Sequence, residues 1–247
     1  MLLLVAGLAV IAAAGVALFG AAQHAAPPGS AAPPAPGVPS GPGIPVLLGQ
    51  PGTANATAAR IAQSADYQSP AVRAFVDAHT AKGAGGPSTL ADVFSVWEAI
   101  YANWTYVRDP PGFNLYLPAS RSVTGGMKGN CLDYAILNAA AVESLGGTAR
   151  VIAAYDQEGN GHAYTEIYVG DSMDAVRQVG DYIAARYSAR TVHWHIADGP
   201  SGEKEYWLNL DWQAGYPGGP IFADNGAYYA SFLSGKGARY ADNGTEI

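Results

Sequence analysis

No charged side chain occurs before Arg60, and that division decides how much of the chain can fold. Residues 1–22 read MLLLVAGLAVIAAAGVALFGAA, apolar on every face of any helix they form. At ~1.5 Å per residue such a helix runs ~33 Å, enough to cross a hydrocarbon core. A helix apolar all round must be buried somewhere. Residues 23–57 are rich in Pro, Ala and Gly. Proline runs favour extended, semi-rigid spacers, and this stretch has too little large apolar surface to fold alone. The folding unit is therefore residues 58–247, a length that suits one domain with a real core.

Two uses of residues 1–22 stay open. One is a membrane anchor or unusual signal sequence, although the basic leader of a secretory signal is missing. The absence of flanking charge also leaves orientation unassigned by the positive-inside rule. The other is a filament core, since an apolar N-terminal helix carrying a head resembles a pilin. That resemblance implies contacts with copies of itself. Both uses place the head outside the cell, at its surface. Three N-x-[ST] sites, at Asn55, Asn103 and Asn243, permit glycosylation in that setting.

Charge and cysteine content narrow the chemistry. The formal net charge is −7 and the thirteen Lys and Arg residues are scattered, which argues against a nucleic-acid partner. Cys131 is the single cysteine, so neither an intramolecular disulfide nor a Cys-based zinc site can form.

The head reads as an α+β domain, helices first and then a mainly antiparallel sheet. Ser69 and Pro70 open a helix, and Ser88 or Thr89 caps a second that carries Leu90, Val93, Phe94, Trp97, Ile100 and Tyr101. A third helix begins at Cys131 and stops at Gly146-Gly147. Residues 150–155 and 162–169 form a hairpin around a Gly-rich turn, and 191–196 with 205–211 form another. Residues 175–189 are helical between them.

A thiol attacks as its thiolate, and the unpaired N–H groups at a helix start favour negative charge there. A neighbouring imidazole stabilises the thiolate and returns its proton to the leaving group, and a carboxylate behind the ring fixes its tautomer. His162 opens one strand and Asp211 ends another, so all three groups can meet at one sheet edge. Gly129 to Ala135, Gly146 to Val151, Gly161 to Ile167 and Trp207 to Asp211 together resemble the transglutaminase-like superfamily, over roughly residues 69–220. Residues 104–110 and 117–120 resemble its prokaryotic, especially archaeal, branches. The resemblance implies a papain-like fold, a Cys131–His162–Asp211 triad, a protein or peptide substrate and no cofactor. The flanks of Cys131 depart from the pattern, being Asn130 and Leu132 where an acidic residue is common. Tyr164 stands where the family usually has Trp.

The oxyanion of such a reaction would be held by the Cys131 N–H and a second donor, with Tyr106, Asn114 and Ser122 as candidates. His193 and His195 share a strand face and could ligate a metal, though a plain strand surface explains them better. Trp207, Trp212 and Tyr216 suit either an aromatic core or a ligand surface. Asp171 and Asp174 show no legible loop of calcium ligands. Three functions compete: a thiol acyltransferase or hydrolase, a structural filament subunit, and an inactive binding module.

Overall fold

Helix α5 (Cys131–Ser144) is buried without a break from Cys131 to Val142. A helix with no solvent-facing stripe must lie inside a layer of other elements, and its alanines allow close approach on every side. The computed structural model describes residues 51–80, 88–110, 115–199, 201–223, 226–241 and 245–246. Residues 1–22, the spacer up to residue 50, Asn114 and Asn243 lie outside them.

Helices α1 (Pro51–Ser64), α2 (Pro70–His79), α3 (Leu90–Asn103) and α4 (Ala119–Thr124) precede α5. The caps follow the sequence. Ser69 accepts from the Val72 N–H with Pro70 in the first turn. Thr89 and Asp92 form a capping box. Residues 51–57, assigned above to the spacer, form the first half of α1. Its Ala58 and Ile61 are buried, and it packs on β7 (Ala227–Phe232) and β8 (Gly237–Ala241). Asn55 is exposed on α1 and accepts a hydrogen bond from the Gly237 N–H at 3.1 Å. Asn103 is exposed at the end of α3.

Beyond α5 come β3 (Ala149–Tyr155), β4 (Gly161–Gly170), α6 (Met173–Tyr187), β5 (His193–Asp198) and β6 (Lys204–Asn209). With β7, β8 and β9 (Thr245–Glu246) these strands form a seven-stranded sheet in the order β8-β7-β3-β4-β6-β5-β9, every pair antiparallel. Differences from expectation concern ends. The strand expected at 191–196 lies at 193–198, the strand toward Asp211 stops at Asn209, and α6 runs two residues earlier, from the Ser172 cap to Tyr187.

Register assigns the two sheet faces. Val151, Ala163, Ile167, Leu208 and Trp194 join the core shared with α5. Ile152, Ala154, Tyr164, Tyr228 and Ala230 form a second core on the opposite face. That face also holds Arg150, Glu166 and His195, all buried. Arg150 Nε donates to Glu166 Oε2 at 2.8 Å, and His195 Nδ1 is hydrogen-bonded to Glu166 Oε1. The Arg150 guanidinium lies 4.1 Å from the Trp207 ring, and the His195 ring stacks on Tyr228. Burial opposes ionisation of Glu166, but His195 and Arg150 outweigh it and hold the carboxyl below its ordinary range.

Candidate active site

The start of α5 is fastened from four directions. Asn130 Oδ1 accepts from the N–H groups of Leu132 (2.8 Å) and Asp133 (3.1 Å). Asp133 Oδ2 accepts from the Asn130 N–H at 3.1 Å, closing a capping box. Asn130 Nδ2 donates to Asp109 Oδ2 at 2.9 Å. The Leu117 N–H donates to Asp133 Oδ1 at 2.9 Å. Thus Asn130, which replaces an acidic flank, serves as the helix cap. The cap takes the N–H groups of Leu132 and Asp133 and leaves that of Cys131 outside it. Burial raises the Asp133 carboxyl to about 6, against the Leu117 and Asn130 N–H groups, which lower it.

Upstream, β1 (Thr105–Tyr106) runs parallel to β2 (Lys128–Gly129) and sets Tyr106 opposite Gly129. Gly129 has no room for a side chain, because a Cβ there would sit 2.5 Å from Asp133 Oδ2. Tyr106 stacks on buried Trp212 with ring centroids 5.5 Å apart. Burial raises its hydroxyl, and so does the nearby Cys131 sulfur. Tyr155, at the end of β3, is raised by burial, by Tyr229 and Tyr116, and also by Cys131. Tyrosines therefore stand within electrostatic reach of the thiol on two sides. Of the two described upstream oxyanion candidates, Tyr106 lies within electrostatic reach of Cys131. Ser122 is buried within α4.

His162 and Asp211 come together at the sheet edge, with His162 Nε2 2.8 Å from Asp211 Oδ2. Both side chains are buried. Asp211 Oδ1 accepts from the Gln213 N–H at 3.1 Å, and the Asp211 N–H donates to Asn209 Oδ1 at 2.6 Å. Asn209 Nδ2 in turn donates to the Gly219 and Pro220 carbonyls. Trp97 Nε1 donates to the Leu210 carbonyl at 2.9 Å, tying this end of the sheet to α3. Phe222 packs on the His162 ring at 5.1 Å.

The Cys131 sulfur lies within electrostatic reach of the His162 ring. Asp211 engages Nε2, so Nδ1 is the nitrogen left to face other groups. Burial opposes a charged His162 ring. The Asp211 carboxylate and then Cys131 outweigh it, and the imidazole is pushed up to about 10. The Asp211 carboxylate therefore favours the protonated imidazole, and a ring so held can donate and recover a proton.

The other residues considered from the sequence lie elsewhere. His195 sits in the buried Arg150–Glu166 cluster and His193 opens β5. Among the described residues, no group of three or more His, Cys, Asp or Glu could hold a metal ion. Asp174 pairs with Arg177 on the surface. Trp207 and Trp212 are core residues, and the Tyr216 hydroxyl donates to the Thr191 carbonyl at 3.1 Å. Asn209, Tyr155 and Phe222 escaped the sequence reading. Only Asn209 carried a signal, its place two residues before Asp211.

The transglutaminase-like superfamily core matches residues 77–174, which span α5 with Cys131 and β4 with His162. The fold is a mixed α/β one with an antiparallel sheet, and the part of it over residues 77–174 is similar to that core. No curated protein matches the chain. The crystal structure of a candidate cysteine protease from Cytophaga hutchinsonii is similar at 16% identity and a TM-score of 0.41, over 83% of this chain. This chain spans 56% of that one.

Proposed function

We propose that the protein is a thiol acyl-transfer enzyme acting on protein or peptide amides, with Cys131 as nucleophile, His162 as acid and base, and Asp211 orienting the ring. The observation that supports the reading is the buried 2.8 Å His162–Asp211 contact, with Cys131 at a capped helix start within electrostatic reach of the ring. The Cys131 thiolate attacks the substrate carbonyl and a C–S bond forms. The oxyanion is met by the Cys131 N–H, with the Tyr106 hydroxyl as second donor. The imidazolium protonates the leaving nitrogen as the C–N bond breaks, leaving a thioester. Water or an amine then attacks the thioester, gives its proton to His162, and releases sulfur as thiolate. Hydrolysis and transamidation share every residue here and differ only in the second nucleophile.

The test is to trap the thioester. With a peptide p-nitrophenyl ester, intact-mass spectrometry should find the acyl group on the peptide containing Cys131, removable by hydroxylamine. The Cys131→Ala chain should carry none. Equal acylation of both chains would defeat the proposal.

We further propose that residues 1–22 display the head outside the cell, as membrane anchor or filament core, because that stretch has no charge and must be buried. Among the described residues no helix is long and apolar enough to cross a membrane. The full chain should sediment with membranes or filaments, whereas residues 23–247 should stay in the supernatant. Identical sedimentation of the two would rule this out.

A further inference from the structure

Among the described residues two large hydrophobic side chains stand well exposed, Val107 at 47% and Leu115 at 50%. Both are carried by backbone tied to the Cys131 end of α5. The Val107 N–H donates to the Gly129 carbonyl at 2.8 Å. The Leu115 N–H donates to Asp109 Oδ2 at 2.9 Å, and the same oxygen accepts from Asn130 Nδ2 at 2.9 Å. Two residues further on, the Leu117 N–H is held by Asp133 Oδ1. Val107 also follows Tyr106, which lies within electrostatic reach of the sulfur.

A single exposed hydrophobe is ordinary on a soluble surface. Two of them pinned to the cap of a nucleophile's helix are better explained by a partner that covers them during reaction. The anchoring also matters energetically. Backbone already fixed by polar bonds loses little conformational freedom when a ligand settles on it.

We infer that Val107 and Leu115 form an acyl-donor subsite selecting a branched aliphatic side chain on the peptide bound at Cys131. The inference rests on the reading of Cys131 as nucleophile. Its occupant is a peptide side chain rather than a second protein surface. A stable protein interface covers about 800 Å² on each partner, far more than two side chains offer. Backbone hydrogen bonds also link both positions to Gly129 and, through Asp109, to Asn130 at the start of the thiol's helix.

The experiment compares Leu-Gly, Ser-Gly and Glu-Gly chloromethyl ketones on the full chain, with iodoacetamide run in parallel, by following loss of the free Cys131 thiol. The Leu-Gly reagent should react about 10-fold faster than the other two, a ratio that a small apolar contact typically gives. In the Val107→Ser/Leu115→Ser chain it should fall to the Ser-Gly rate while iodoacetamide reacts as before. Both positions are exposed, and circular dichroism should show the fold unchanged. Equal rates for the three ketones, or a preference that survives the double substitution, overturns the inference. Iodoacetamide reactivity that still depends on His162 would then leave the nucleophile reading intact. If no reagent reacts faster than with the unfolded chain, the nucleophile reading and the subsite fall together.

Discussion

Replacing His162 with alanine should slow acyl transfer to Cys131 by about 10²–10⁴-fold, the range removed with a positioned general acid–base. Two losses coincide. The thiolate loses its imidazolium partner, and the departing nitrogen loses its proton donor. Single-turnover release of p-nitroaniline from a peptide anilide, read alongside iodoacetamide labelling, separates them, because alkylation needs the thiolate and no departing amine. Asp211→Asn should keep the ring in place yet leave it without its carboxylate, and so fall between the wild-type and His162→Ala chains. A His162→Ala rate within a factor of three of wild type would remove His162 from the chemistry. The same substitution should change the pH dependence of stability. In the folded protein the ring holds its proton to about 10, above the ordinary value of 6.5. Its stabilising contribution is complete below about pH 6.5 and is lost as pH rises through about 10. Urea midpoints across that window should fall in the wild-type chain and flatten once the imidazole is gone.

Glu166→Gln should destabilise the fold by about 3–5 kcal/mol, the loss seen when one partner of a buried ion pair is removed. Arg150, Glu166 and His195 are all buried, and Glu166 is the anion between the other two. With a neutral amide there, the Arg150 guanidinium keeps its charge but loses the Glu166 carboxylate, since arginine cannot shed that charge. Trp207 and the Tyr228 hydroxyl at 3.4 Å offer it weaker attraction. Urea unfolding followed by tryptophan fluorescence is the measurement. A midpoint shift equivalent to less than about 1 kcal/mol would mean that the cluster's charge is balanced by other groups. The residue sits four places along β4 from His162, so a loosened cluster also threatens the ring's placement.

Local signals in the sequence were dependable. Ser69-Pro70 and Thr89 each start a helix through bonds made within four residues, as read, whereas the Asn130–Asp133 cap emerged only from the structure. The hairpin of β3 and β4 was legible for the same reason. The sheet's outer strands were not. Residues 227–241 pair around a short Gly-containing turn, and their partner β3 lies far earlier in the chain. Residues 51–57 looked like spacer because Pro, Gly and Thr favour no helix strongly, and packing against β7 and β8 supplies what propensity lacks. Residues 162–169 read as a hairpin strand, with nothing local to say what covers each of its sides. In the curled sheet both sides are covered, so Glu166 faces a second core instead of water. For the site, the order Cys131, His162, Asp211 could be read from the chain. The Asp109–Asn130 link and Phe222 over the ring could not, because each depends on where loops come to rest.

Thr165 Oγ1 donates to the Ala135 carbonyl at 2.6 Å, one turn into α5 from the thiol and three residues along β4 from the imidazole. That single bond joins the two elements that carry Cys131 and His162. The Leu210 N–H then donates to the Thr165 carbonyl at 2.8 Å, so the residue before Asp211 hangs from the same threonine. Thr165 is thus a common datum from which nucleophile, base and carboxylate are all measured. The relative placement of the three side chains is accordingly tied to the sheet interior through one residue.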